Sequence, residues 1–189
     1  LICKIMKRST KGFTLVEMLI VIIAVGIIGS ITTRLLYQGS NIFIRETNRQ
    51  GFVNEVRSTF WRVIRETHGQ VSKEDFTSSG TDNLYIKHAN NITKQIETSG
   101  QSISLKIGNN SSNKLSDTFS STSSTGLTYY DNNYNIISIS QNALSDVQAK
   151  TVHLVKIDFV FNSEEDILNL SSYVFPQNFK YGEKMGYHD

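Results

Sequence analysis

One carboxylate stands where a charge is expensive to hold. Glu17 is the sole ionisable side chain between Phe13 and Thr33, and it is followed by the uncharged run MLIVIIAVGIIGSITT. A carboxylate inside an apolar membrane helix costs about 2.5–3.5 kcal/mol on insertion scales, so such groups are found with a partner, here a cation. The one physical alternative is a side chain that reaches back to water at the headgroup boundary. Just upstream lie Lys4, Lys7, Arg8 and Lys11, all before the first acid of the chain.

Other chemistry-bearing residues are scattered. His68, His88, His153 and His188 lack metal-motif spacing, and the only cysteine, Cys3, precludes thiolate zinc sites of the CxxC kind. No GxSxG elbow and no glycine-rich phosphate loop is present, so neither an enzymatic activity nor a resident cofactor is expected. Two oxygen-rich patches, Asp131 with Asn132 and Asn133, and Glu164 with Glu165 and Asp166, offer hard ligands for calcium. Neither has the spacing of a calcium loop, and a turn and a solvated loop are the favoured readings. Arg45, Arg49, Arg57, Arg62 and Arg65 are interleaved with Glu46, Glu55 and Glu66, a pattern of a solvated or subunit-contacting helix face rather than a nucleic-acid groove. Tyr129, Tyr130 and Tyr134 read as sheet packing rather than as a base-stacking platform.

The elements that must position Glu17 follow from charge and periodicity. The 189 residues carry 19 Lys and Arg against 17 Asp and Glu. Without the first twelve, 15 basic and 17 acidic side chains remain, and the formal charge passes from +2 to −2. A slightly acidic body is no general polyanion binder. The apolar stretch 13–33 is long enough to cross a hydrocarbon core of roughly 30 Å as a helix. Its basic flank places the N-terminus in the cytoplasm and the residues after Arg34 on the far side of the membrane. Leu35, Ile42, Phe52, Val56, Phe60, Val63 and Ile64 continue a helical face, so one helix is predicted over Phe13–Thr67, roughly 80 Å long at 1.5 Å per residue. It should stop at His68, Gly69 and Gln70 with glycine as the cap.

Beyond the helix the period changes to two. Strands are predicted at Asn83–Lys87, Ile103–Ile107, Leu127–Tyr130, Tyr134–Ile139, Leu154–Phe161 and Leu168–Phe175, the third and fourth joined as a hairpin through Asp131, Asn132 and Asn133. Val155, Ile157, Phe159 and Phe161 alternate with their neighbours and should face the helix. Ten of the sixteen residues in Ser111–Gly126 are Ser or Thr, which predicts an exposed, disordered loop. The fold class is α+β: a long N-terminal helix against an antiparallel sheet. Four segments result: a leader 1–12, a membrane helix 13–33, its amphipathic continuation 34–70, and a β-rich extracytoplasmic domain 71–189.

At the head of the apolar run the residues KGFTLVE, Lys11 to Glu17, resemble the type IV prepilin family, with a basic leader ending in glycine, a following Phe and a Glu at the fifth position of the apolar segment. The resemblance implies that a prepilin peptidase cuts between Gly12 and Phe13 on the cytoplasmic side and methylates the new amine of Phe13. That amine would then be the cation for Glu17 of a neighbouring subunit and would set the stagger of a filament. It also implies a pilin-like fold, a single-pass inner-membrane location before assembly, and as partners the peptidase, other pilin or pseudopilin subunits, the assembly platform and the bilayer. The stretch from Arg62 to Glu66 and that from Val174 to Phe179 resemble the J-like pseudopilin and W-like minor pilin group. The expected role is a structural minor subunit of a type IV pilus or of a type II secretion filament. The alternatives are a membrane-tethered binding module and a minor pilin of DNA uptake.

Overall fold

The computed structural model describes residues 12–121, 125–139, 142–163 and 166–181, the side chains of Lys180 and Tyr181 excepted. Helix α1 covers Leu15–His68 and passes unbroken through Gly26, Gly29, Gly39 and Gly51. It begins and ends within two residues of the range that periodicity predicts. The chain divides into two compact units, Leu1–Asn48 and Arg49–Asp189.

In the first unit the apolar side chains of α1 are bare. Leu15, Ile22, Val25 and Ile28 are all exposed, and so are Leu35 and Ile42, which were expected to join the packed face. Burial starts at Phe52.

In the second unit the rear of α1 supplies Phe52, Val56, Phe60, Val63 and Ile64 to the core. Two antiparallel sheets complete it. The first has the order β1 (Asn83–Lys87), β2 (Thr93–Ser99), β3 (Ser102–Ile107) and β4 (Asn113–Ser116). The second is built on β7 (Leu154–Asn162), which pairs with β5 (Phe119–Ser120) and β6 (Gly126–Tyr130), and with β8 (Ile167–Val174). The α+β class holds, with two sheets in place of one.

The alternation of β7 has the expected sense. Val155, Ile157, Phe159 and Phe161 are buried, and Phe60 of α1 meets Phe159 edge to face at 6.3 Å. Three other expectations are corrected. Tyr134–Ile139 is not a strand: Asp131 Oδ1 accepts the backbone N–H groups of Asn133 and Asn135, each at 2.8 Å, and Tyr134 adopts a φ of 62°. That turn leaves only the bridge Tyr130↔Ile136, and β6 takes its strand partner from β7. The segment 111–126 is not a loop throughout, because β4 and β5 lie within it and Phe119 is buried against Phe159 and Phe161 at 5.4 and 6.2 Å. Residues 122–124 of it fall outside the described residues. Gly69 is not among the residues of positive φ; the last turn closes with Gly69 N–H donating to Glu66 O at 3.0 Å.

A short helix α2 (Asp146–Thr151) was not foreseen from the sequence. Ser145 caps it, accepting from Gln148 N–H, while the Gln148 side chain accepts from Ser145 N–H, a reciprocal capping box.

Candidate processing and assembly site

Gly12, Phe13 and Thr14 precede the first turn of α1, and Glu17 lies in that turn. Among the described residues a Cβ built on Gly12 would meet nothing within 4 Å, and Phe13 is 76% exposed, so these residues leave the Gly12–Phe13 peptide bond open. Lys4, Lys7, Arg8 and Lys11 lie outside the described residues.

Thr14 does what the sequence reading overlooked. Its backbone N–H and its hydroxyl both donate to Glu17 Oε2, at 2.8 and 2.9 Å, and Glu17 N–H lies 3.3 Å from Thr14 Oγ1. This is the reciprocal arrangement of a capping box, in which an N-cap hydroxyl and a carboxylate three residues on satisfy each other's backbone donors. The spacing T-x-x-E was its signal. Glu17 therefore has a partner within its own chain before any cation reaches it.

The other singled-out residues are placed elsewhere. Asp131 is occupied by its own turn, with Asn135 Nδ2 as a further donor at 3.3 Å, and backbone N–H donation holds its carboxyl below the usual range. Asp166 faces Arg49 at 3.5 Å, while Glu164 and Glu165 are outside the described residues. Tyr129 packs on Phe76 and donates its hydroxyl to Gly80 O at 3.0 Å; Tyr134 is exposed. His68 Nδ1 sits 3.0 Å from Phe175 O, and His88 lies by Glu66; His188 is outside the described residues.

Glu66 corrects the reading of a solvated face. It is 3% exposed and is ringed by Arg62 Nε at 2.7 Å, Lys94 Nζ and His88 Nε2 at 3.2 Å. Burial pushes its carboxyl up, and the Lys94, Arg62 and His88 charges outweigh that and hold it below the ordinary range. Its place was visible in the spacing Phe52, Val56, Thr59, Val63, Glu66, which puts it on the core side of α1. The C-terminal stretch closes on the same helix end: Asn178 Nδ2 donates to Gln70 O at 3.0 Å, and Phe179 meets Phe76 at 5.9 Å. Arg62, Ile64 and Arg65 thus share an open cleft with Gln177, bringing together the helix-end stretch and the C-terminal stretch singled out in the sequence.

The open Gly12–Phe13 bond, the buttressed Glu17 and a helix long and apolar enough to cross a membrane occupy one contiguous stretch. Residues 7–33 match the prokaryotic N-terminal methylation motif. The chain carries a type IV prepilin-like leader. Such a leader implies processing by a prepilin peptidase and assembly with other pilins, and supports a pilin-like or pseudopilin precursor. With the apolar helix behind it, the prepilin-like leader fits a membrane-anchored, single-pass protein. A search of curated proteins gives no match to the chain.

Proposed function

We propose that the chain is a non-catalytic minor pilin or pseudopilin, a structural subunit of a type IV pilus or a type II secretion filament. The observation that carries this reading is the coincidence of the methylation motif at residues 7–33 with an exposed Gly12–Phe13 bond and a carboxylate at Glu17. In this reading the peptidase hydrolyses the Gly12–Phe13 amide on the cytoplasmic face, leaving a carboxylate on Gly12 and an amine on Phe13, whose nitrogen, once deprotonated, takes a methyl group from a sulfonium methyl donor that leaves as the neutral thioether. The body of the protein stands on the far side of the bilayer. Lys4, Lys7, Arg8 and Lys11 hold the leader on the cytoplasmic side until the cut.

Assembly moves α1 from lipid into a bundle of like helices. Apolar contact replaces apolar contact at little hydrophobic gain, so register must come from polar pairing, and the Phe13 amine meeting Glu17 of a neighbour supplies it. No bound metal or cofactor is assigned a part in this reading, and nucleic acid is not a proposed partner.

The test is the intact mass and N-terminal sequence of the membrane-extracted protein, coexpressed with an active prepilin peptidase and compared with a Gly12→Val variant. A product that begins at N-methylated Phe13, lost in the variant, is expected. An uncleaved product beside a cleaved control substrate would instead favour a membrane-tethered binding module. Glu17→Ala should still be cleaved yet fail to enter filaments.

A further inference from the structure

The sheet edges of the second unit are not treated alike. On β1, Gly80 N–H donates to Asn83 O at 2.8 Å, Tyr85 N–H to Ser79 Oγ at 2.9 Å, Lys87 N–H to Gln70 Oε1 at 2.7 Å, and Val71 N–H to Lys87 O at 3.0 Å. The four-residue β4 has its Leu115 carbonyl capped by the Thr59 hydroxyl at 2.9 Å. Along the edge formed by β5 and β6, Phe119 N–H donates to Gln101 O, Leu127 N–H to Thr81 O and Ile137 N–H to Tyr129 O, at 2.9–3.0 Å.

β8 has nothing of the kind. All eight of its residues pair with β7 in unbroken register, and between Ile167 and Tyr173 its other edge meets no hydrogen-bond partner among the described residues. Every second residue of such a strand points its N–H and C=O away from the sheet. The sequence ILNLSSYV also lacks the devices that protect a bare edge: it has no proline, no charge and no bulge. Ile167 and Tyr173 are 69% and 57% exposed.

We propose that the β8 edge is a docking edge for a second copy of this chain, paired antiparallel with the same edge of that copy. A row of unmet backbone donors and acceptors is answered by an extended strand, and the residues of β8 suit themselves as partner. Centring the pair on Leu170 sets Ile167 opposite Tyr173 of the second copy, a β-branched and aromatic pair of the kind that stabilises sheets. Asn169 then faces Ser171 of that copy. With no charge in the strand, self-pairing brings no like charges together. The two four-stranded sheets join into one continuous sheet across a two-fold axis. This edge belongs to the second unit and involves none of Gly12, Phe13 and Glu17, and the inference does not depend on filament membership.

The full chain carrying Cys3→Ser, in mild detergent, gives the test by sedimentation over a range of concentrations. The expected result is a monomer–dimer equilibrium that the double variant Asn169→Lys, Ser171→Lys weakens about tenfold or more. Both sites lie on the outer face of β8, so the variant should fold, and Val147→Lys on α2 should leave the equilibrium unchanged. Hydrogen exchange should show the β8 amides that point away from β7 slowed only in the dimer. A chain monomeric throughout overturns the proposal, and so does a dimer indifferent to the two lysines, which would mean association through the apolar helix. Protection in the monomer of the β8 amides that point away from β7 overturns it too, since another part of the same chain would then cover the edge.

Discussion

A β-carbon built on Gly69 would lie 2.7 Å from Cε1 of the His88 imidazole, so the end of α1 admits the ring only because residue 69 has no side chain. His88 in turn is held by Glu66, through its carboxylate and through its carbonyl, each at 3.2 Å. Gly69→Ala should therefore expel His88 from Glu66 and cost about 1–2 kcal/mol. In a double-mutant cycle with His88→Ala much of that loss should disappear, read from chemical denaturation of the full chain in detergent.

Glu66 is the centre of that cluster and should be the costlier loss. Glu66→Gln leaves Lys94 and Arg62 facing an uncharged group, and should destabilise by about 2 kcal/mol, less than a fully buried pair because Arg62 keeps contact with water. The pH dependence follows from the sign of the shift. The carboxyl is held below its ordinary value of 4.5, so its contribution is complete above that pH and fades as the pH falls through the lower folded-state value. Thermal midpoints measured downward from neutral pH should fall less steeply in Glu66→Gln than in the parent.

Thr14→Val should loosen the start of α1. It removes the hydroxyl that donates to Glu17 and leaves the backbone donor in place, and the loss of an N-cap costs about 1 kcal/mol. Amide exchange in the first turn should accelerate several-fold, with residues beyond Ile22 unaffected.

Phe119 marks the difference between a loop and a strand. Phe119→Ala should cost about 3 kcal/mol or more by leaving a cavity beside Phe159 and Phe161. Ser121→Ala, two residues on and exposed, should change stability by less than about 0.5 kcal/mol. Equal small effects at both positions would refute the buried β5.

Adding calcium, or removing it with a chelator, should leave the thermal midpoint where it is. Asp131 already receives three donors from Asn133 and Asn135, and its pairing needs no ion. A rise of several degrees with calcium, abolished by Asp131→Asn, would reverse that reading.

Where apolar residues recur at a fixed period the sequence was a sufficient guide. Leu84 and Ile86 mark β1, and the four alternating apolar residues of β7 give both its place and its inner face. β2 escaped notice because Ile96 is its one buried residue; TKQIETS is a strand because β1 and β3 flank it in register. β4 and β5 hid in a Ser/Thr-rich background, where Phe119 was the one clue. The hairpin through Tyr134 was misread because Asp131 offers its own carboxylate to the following N–H groups, which bends the chain out of a ladder. At the leader, the spacing of Glu17 from Gly12 was plain, whereas its bond to Thr14 was masked by attention to a cation.

Helix α1 is one element with two audiences. Before Asn48 its side chains have no interior to fill, so drift there is judged by lipid and by whatever helices gather alongside. From Phe52 onward each apolar residue is held in place by strands encoded far downstream, and a change is judged by the chain's own folding. Inherited variation should therefore fall into two statistical regimes along a single rod. In the front half substitutions should track those of other proteins, and in the rear half they should track residues of the same gene.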